Sequence, residues 1–359
     1  MTGVATELRV SRTNLRDICT ATIDIRLKAG QALFQIERFA LTANNITYAA
    51  HGDDMGYWGF YPAPDGWGIV PVWGFARVVD AGSVADLSVG DRVYGYWPMA
   101  SHAVLEPAKF TQRGFVDAAA HRQHLAAIYN NYQGVAGNDF GDERTYAIFR
   151  PLYTTSFLID AWIADEAATT DAVIISSASS KTALGLAQAL KARGNAGPKV
   201  IGLTSSANRA FVESTGYYDV VSSYDEIADL VADRPVFVDF AGSDAVRRSV
   251  HMRFGTDLLA SMVIGDTHWD SVAAPAALPG PRPTLFFAPT EAVKRMETWG
   301  PAGFGARLEA AWRVFMTSTV PWLHIVEDHG PAVVEAQYLA ILNGEGRASE
   351  GVVLSMAAA

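Results

Sequence analysis

Residues 171–209 read DAVIISSASSKTALGLAQALKARGNAGPKVIGLTSSANR, and the fold follows from them. The stretch opens on a short apolar run that reads as a buried strand and passes a serine-rich turn at residues 176–180. Apolar residues then recur at helical spacing: Ala183, Leu184, Leu186, Ala187 and Leu190. A second strand follows at 199–203. This strand, turn, helix, strand order places the turn and the helix N-terminus where oriented backbone N–H groups can hold a pyrophosphate. The second strand runs into Thr204, Ser205 and Ser206, with Asn208 and Arg209 just beyond, and no acidic residue stands there to accept a ribose 2′-hydroxyl. Hydroxyls and a cation suit a 2′-phosphate, so the expected cofactor is NADP(H) rather than NAD(H).

A chain of 359 residues has room for two domains, and with 50% hydrophobic and 18% charged residues it can bury a large core. The net charge of −10 and the lack of a basic run argue against nucleic acid as a partner. The only cysteine is Cys19, which excludes an internal disulfide and a cysteine-rich zinc site and fits a reducing, cytoplasmic setting. The N-terminal residues lack a signal-peptide core, and no stretch reaches the ~18 apolar residues of a membrane span. A soluble intracellular protein with no membrane partner is the expectation.

The first 110 residues read as mainly β. Residues 33–40, LFQIERFA, alternate as a half-buried strand does, and strand-like runs return at 68–79, 91–96 and 101–106 between Gly, Pro and Asp turns. Tyr129 and Tyr132 are placed on a helix, followed by a glycine-containing loop at 134–144 that reads as a surface insertion or a lid. Past Tyr153 the pattern becomes α/β. Helices are expected at 155–168, 208–215, 225–232, 244–253, 290–298 and around 306–315, and strands at 173–176, 219–221, 236–240, 258–264 and 284–287. Such strict alternation implies a doubly wound parallel sheet with helices on both faces. Residues 331–342 and a short strand at 352–356 close the chain. The expected domains are 1–150 with a C-terminal return at 320–359, and 151–319.

These residues together resemble the medium-chain dehydrogenase/reductase superfamily, in its zinc-free quinone-reductase-like branch. The segment TANNITYAAHG is similar to the family's Asn-x-x-Asp segment, with Asn44 on the Asn and Thr47 where Asp is usual. GDRVYG at 90–95, TTSFLIDAWIAD at 154–165 and GRASEGVVLSM near the end resemble further family segments. The resemblance implies a mainly-β GroES-like domain and a Rossmann-type nucleotide domain. The nucleotide turn departs from the family's glycine-rich pattern, since Ser180, Lys181, Thr182 and Ala183 stand on its Gly-Gly-Val-Gly positions. Ala183 still permits close packing of helix on strand, while Lys181 and the hydroxyls of Ser179, Ser180 and Thr182 are candidate phosphate contacts. By the resemblance, Arg209 and Tyr224 stand at or near positions that contact the 2′-phosphate, and edge strands of the nucleotide domain, at 258–264 or at 284, pair two copies into a homodimer.

With one cysteine, the catalytic and structural zinc sites of the metal-dependent relatives are excluded. Hydride transfer without a metal needs a bound nicotinamide, a shaped pocket and donors that polarise the acceptor carbonyl. Asn44, Asn45 and Tyr48 are the candidate catalytic donors; loop capping competes for the asparagine and core packing for the tyrosine. Tyr57, Trp58, Tyr96 and Tyr132 are candidates for a substrate pocket suited to a planar or apolar compound, against the reading that these aromatics pin their own loop to the barrel or form a dimer contact. His268, after the fifth strand, is a candidate contact for nicotinamide or substrate. The expected activity is a zinc-independent, NADP(H)-dependent reduction of an activated C=C or C=O in a small carbonyl compound. Two rivals stay open: a non-redox enzyme, with Lys181 as a base or Schiff-base amine, and a cofactor-binding or sensor protein that keeps the fold without catalysis.

Overall fold

The computed structural model describes residues 2–136, 139–264 and 277–357. The chain divides into two compact units, Met1–Ile148 with His324–Ala359, and Phe149–Leu323. In chain order the elements are β1 (Thr2–Ser11), β2 (Ile18–Arg26), β3 (Ala32–Leu41), α1 (Ala43–Ala50), β4 (Trp67–Gly68), β5 (Pro71–Asp80), β6 (Arg92–Pro98), β7 (His102–Leu105), β8 (Pro107–Thr111), β9 (Gly114–Asp117) and β10 (Asn131–Gly134). There follow α2 (Glu143–Glu166), β11 (Ala172–Ile175), α3 (Lys181–Lys191), β12 (Lys199–Thr204), α4 (Arg209–Ser214), β13 (Val220–Ser223), β14 (Val236–Asp239), α5 (Asp244–Phe254), β15 (Ala260–Val263), β16 (Thr284–Leu285), α6 (Ala288–Thr319), β17 (His324–His329), α7 (Pro331–Leu342) and β18 (Glu350–Ser355).

The first unit is mainly β. A nine-stranded sheet runs β17-β18-β3-β5-β6-β10-β9-β8 with β7 on β3, and a three-stranded sheet runs β2-β1-β4. In β3 the alternation seen in the sequence becomes burial: Phe34, Ile36 and Phe39 are fully buried between half-buried polar neighbours. β1 and β2, absent from the sequence reading, pair antiparallel from Thr2↔Arg26 to Val10↔Ile18. Their apolar residues are interleaved with Thr, Glu and Arg, a pattern too polar to stand out without its partner strand. Tyr129 and Tyr132 lie on no α-helix: Tyr129 rides a single 3-10 turn, Ala127–Asn130, and Tyr132 is on β10. Strand pairing of 131–134 with β6 and β9 overrides local helix preference there.

The second unit holds a six-stranded parallel sheet in the order β13-β12-β11-β14-β15-β16. Its strands are apolar on both faces because both are covered. Val173, Ile175, Val200, Val236 and Val238 meet α2 and α3 through Ile159, Ile163, Leu184 and Leu190. The alternate residues Ile174, Ile201, Leu203 and Phe237 face Ile227, Val246, Val250 and Phe254 on the other side. This is the doubly wound arrangement expected from the alternation of elements. α3 lies close against α2, since a Cβ on Gly185 would come within 2.7 Å of Ser156 Oγ. Where a helix is expected at 225–232 the chain forms a 3-10 turn, Tyr224–Asp229. The two helices expected at 290–298 and 306–315 are both present within α6, separated at Gly300, whose backbone (φ 71) leaves the helical region just before Pro301.

Candidate functional site

In the second unit, residues 176–180 connect β11 to α3 and are tied to each neighbouring strand end. Ser176 N–H donates to Val238 O (3.1 Å), and Ser176 Oγ donates to Asp239 Oδ1 (2.7 Å) while accepting from the N–H groups of Phe240 (2.9 Å) and Ala241 (3.0 Å). Ser177 has φ 48, a left-handed conformation that costs a non-glycine residue about 1 kcal/mol. Its N–H donates to Tyr224 Oη (3.1 Å). Ala178 donates to Leu203 O (2.9 Å), and its own carbonyl accepts from Tyr218 Oη (2.8 Å). Asn208 Nδ2 donates to Ser179 Oγ (3.2 Å). Ser180 is the N-cap of α3, its Oγ accepting from Ala183 N–H (3.4 Å). Side-chain hydroxyls and an asparagine thus build rigidity that glycine-rich turns obtain from backbone packing.

Ser179, Ser180, Lys181 and Thr182 come together as expected, half-buried around the first turn of an eleven-residue helix. Its N-terminal N–H groups and partial positive charge are suited to phosphate oxygens. Thr204 is buried at the end of β12, and Ser205 and Ser206 are exposed beyond it. Burial pushes the Tyr224 phenol up, against the lowering effect of the Ser177 N–H, so it stays a neutral donor. His268 lies outside the described residues.

Arg209 is held more fully than the sequence implies. Its Nε donates to Glu213 Oε1 (3.0 Å), one terminal nitrogen to Glu226 (3.1 Å) and the other to Val221 O (3.2 Å). Glu226 also accepts from Ser223 N–H (2.9 Å) and Ser222 Oγ (3.0 Å). The Ser223 N–H, the Ser222 hydroxyl and Arg209 hold its carboxyl down at about 2. No acidic residue stands at the end of β12 itself, but Glu213 on α4 and Glu226 in the 3-10 turn after β13 both reach the same guanidinium. A linear reading of the strand end had no signal for Glu226.

Asp239 is a second residue the sequence reading did not single out. It is fully buried at the end of β14. Besides Ser176, its Oδ1 accepts from Ala241 (3.0 Å) and Gly242 (3.1 Å) N–H groups, and its Oδ2 pairs with Arg247 Nε (3.0 Å). Arg247 in turn reaches Asp244 (2.8 Å). Through Ser176, this carboxylate fixes the turn.

In the first unit the candidate donors and part of the candidate pocket do meet. Tyr48, Tyr57, Tyr96 and Tyr129 are all buried, with ring centroids 4.6 Å apart for Tyr48 and Tyr57 and 4.6 Å for Tyr96 and Tyr129. Trp73 closes the group 5.0 Å from Tyr96. Trp73 Nε1 donates to Tyr48 Oη (3.4 Å), and the Tyr57 and Tyr129 hydroxyls are 3.5 Å apart. Burial raises the Tyr48 phenol far above its ordinary range. Asn45 has a different job: its Oδ1 accepts from Thr42 N–H (2.8 Å) in a capping box at the start of α1, and its Nδ2 donates to Pro71 O (2.9 Å). The segment at 43–50 is a helix, so Asn44 and Tyr48 share a face four residues apart.

Trp58 and Tyr132 stand apart from this group. Trp58 packs over Gly52 and Gly68, where a Cβ would meet the indole at 2.1 and 2.3 Å. Tyr132 stacks on Phe115 (5.4 Å), donates to Tyr96 O (2.7 Å) and accepts from Arg122 (3.0 Å). Arg122 is buried and paired with Asp117 at 3.0 Å. These contacts pin loop to sheet, as the competing reading of the aromatics described.

The model of the family described as "Protein of unknown function (DUF2855)" matches residues 39–347. No curated protein matches the chain significantly. Among solved structures, CurA from Vibrio vulnificus in complex with NADPH superposes with a TM-score of 0.66 at 12% identity, over 100% of each chain. A candidate NADPH:quinone reductase from Mesorhizobium loti gives 0.62 at 13%, over 98% of each chain. The mitochondrial 2-enoyl thioester reductase Etr1p/Etr2p heterodimer from Candida tropicalis gives 0.60 at 12%, over 98% of this chain and 100% of that one. The fold is that of the medium-chain dehydrogenase/reductases, a GroES-like unit and a Rossmann-type unit. Among the described residues no helix is long and apolar enough to cross a membrane.

Proposed function

The chain belongs to the DUF2855 family, and for this member we propose a zinc-independent, NADP(H)-dependent oxidoreductase that reduces an activated C=C or C=O of a small, planar or apolar carbonyl compound. The observation that carries the reading is the cradle at residues 176–182, fixed at the C-terminal ends of four parallel strands and opening a helix N-terminus. The residues present fit the cofactor: Ser179, Ser180, Lys181 and Thr182 for the pyrophosphate, Thr204, Ser205, Ser206, Arg209 and Tyr224 for the 2′-phosphate. When bound, the nicotinamide would supply the hydride. The chain's own part is to orient and polarise, with Asn44 and Tyr48 as hydrogen-bond donors and the rings of Tyr57 and Tyr96 as an apolar wall. The lone Cys19 supports a mechanism without a cysteine-bound metal. CurA was solved with NADPH and two of the structural relatives carry reductase names, which supports the same reading.

One observation favours the sensor alternative. Tyr224 on Ser177 and Asn208 on Ser179 occupy turn groups that a phosphate would otherwise share. A fluorescence titration with NADPH and NADH separates the two. Micromolar NADPH binding with much weaker NADH binding is expected, and binding of neither would sink the reductase. The charge reversal Arg209→Glu should weaken NADPH strongly; unchanged affinity would refute the 2′-phosphate assignment. NADPH consumption with quinones, enones and aldehydes then distinguishes a reductase from a non-redox enzyme.

A further inference from the structure

We infer that the cleft between the turn after α2 and the turn after α3 is a binding site for a small zwitterion, an amine and a carboxylate on one short chain, with Arg193 receiving the carboxylate and Asp171 the ammonium. The cleft measures about 200 Å³, and Ile163, Ala167, Thr170, Asp171, Arg193 and Gly197 are among its lining residues. That space equals the bulk volume of about six or seven water molecules, so it suits a ligand of about as many heavy atoms. Asp171 directly precedes β11, and Gly197 and Pro198 directly precede β12, which puts the cleft at the N-terminal ends of these parallel strands. The turn at 176–182 lies at their C-terminal ends. A ligand in the cleft does not compete with a nucleotide on the turn, and the inference stands independently of the reductase reading.

Two opposite charges line this cleft without meeting. Arg193 forms no ion pair with Asp171; its Nη2 reaches Asp160 instead, donating to the carbonyl (2.6 Å) and lying 2.7 Å from Oδ1. These contacts anchor the guanidinium, and Gly197 packs on its stem, since a Cβ there would come within 3.0 Å of Arg193 Cβ. Arg193 Nε and Nη1 have no partner among the described residues, and neither has the exposed Asp171 carboxylate. A ligand carrying both signs satisfies both groups at once through charge-assisted hydrogen bonds. Helix polarity sets its direction. α2 and α3 both end at the cleft, where last-turn carbonyls favour a cation, and Asp171 reinforces that preference. The carboxylate therefore falls to Arg193, the one cationic side chain in the lining. Thr170 is committed to the fold, its Oγ donating to Ala172 O (2.8 Å) and Arg234 O (3.0 Å), which fixes the turn that carries Asp171. Buried Ile163 and Ala167 offer an apolar floor for the connecting methylenes. A phosphate would meet Asp171 and two helix C-termini, and a simple amine would meet Arg193, so neither fits as well.

Glycine, β-alanine and γ-aminobutyrate test the site on the full-length protein, with butyrate and butylamine as controls that carry one charge each. Calorimetric titration at low salt, backed by saturation-transfer NMR, should show at least one of the three amino acids binding in the millimolar range or tighter, and both controls about tenfold more weakly or worse. Asp171→Asn removes an exposed carboxylate without a partner, so it should keep the wild-type thermal midpoint, weaken the amino acid about two- to fivefold and not weaken butyrate. Arg193→Gln should weaken the amino acid about tenfold or more. It also loses the Asp160 contacts, so Asp171→Asn decides the matter if that variant fails to fold. Butyrate binding as tightly as the amino acids overturns the zwitterion. Failure of all three amino acids to bind, or unchanged affinity in Asp171→Asn, overturns the site. NADPH titrated in the presence of the bound amino acid should show unchanged affinity; direct competition would place the amino acid on the nucleotide turn and overturn its assignment to this cleft.

Discussion

Asp239→Asn tests whether the nucleotide turn is held by a buried charge. The carboxylate is inaccessible and receives Ser176 Oγ (2.7 Å), Ala241 N–H (3.0 Å) and Gly242 N–H (3.1 Å) on one oxygen. Arg247 reaches the other with Nε (3.0 Å) and a terminal nitrogen (2.9 Å). Asparagine can keep its carbonyl toward the turn, so those three bonds persist in weaker, uncharged form, each losing about 0.5–1 kcal/mol. Its amide then points donors at a donor, and Arg247 loses a partner. Removing one member of a buried ion pair costs about 3–5 kcal/mol. Arg247 retains Asp244 at 2.8 Å and is 17% exposed, so part of that loss is recovered through water. The balance is a destabilisation of about 4–5 kcal/mol. Urea unfolding monitored separately by fluorescence and far-ultraviolet dichroism measures it, since two units need not melt together. Ser176→Ala in the same background should be less than additive, because Asp239 and Ser176 act through one hydrogen bond. A loss below about 1 kcal/mol, or strict additivity with Ser176→Ala, would show that the turn is held by its backbone bonds and not by this carboxylate.

Glu226→Gln should raise NADPH affinity about two- to fivefold, as expected for an exposed pair, and leave NADH unchanged, because it frees Arg209 from a competing carboxylate; fluorescence titration decides, and weaker NADPH binding would mean that Glu226 orients Arg209 instead. The Glu226 carboxyl, at 4.5 in the unfolded chain and about 2 when folded, contributes stability that is fully present above pH 4.5 and lost as pH falls toward 2. Glu226→Gln should therefore flatten the stability slope in that window, read by urea melts at stepped pH. Gly185→Val should destabilise the second unit by about 2–3 kcal/mol through overpacking of α3 on α2, where even a Cβ comes within 3.2 Å of Tyr153 Cδ2; a neutral thermal melt would show that the helices can separate freely.

The parallel sheet was legible in the sequence because its signal is local and repeated. Val173 to Ile175 and Val236 to Val238 are apolar on both faces, and each run is followed by a helix of matching period. The site was legible to the extent that its residues adjoin those elements: Ser179 to Thr182 could be placed by counting from the strand, and Thr204 to Arg209 by the end of the next. What escaped was contact across strands. Nothing in the spacing of Arg209 and Glu226, or of Ser176 and Asp239, separates a bonded pair from two solvated residues; the parallel register of β11, β12, β13 and β14 brings them together. The same holds for Tyr96 and Tyr129, which meet only because β10 pairs with β6 and the 3-10 turn before it folds back.

The glycine-poor turn is the point at which local rule and tertiary structure disagree. Ser177 adopts the conformation that glycine adopts freely, at a cost of about 1 kcal/mol, and recovers it through a hydrogen bond from its own N–H to Tyr224. Tyr218 on Ala178 and Asn208 on Ser179 complete a set of contacts that a bare glycine turn does not need. Such a turn is preorganised by side chains, so its geometry depends on residues that stand 29 to 47 positions away. Removing the Tyr224 hydroxyl should therefore change the turn itself as well as any phosphate contact made there. A Tyr224→Phe variant that weakened NADPH and NADH alike would point to the turn, whereas a loss confined to NADPH would point to the 2′-phosphate.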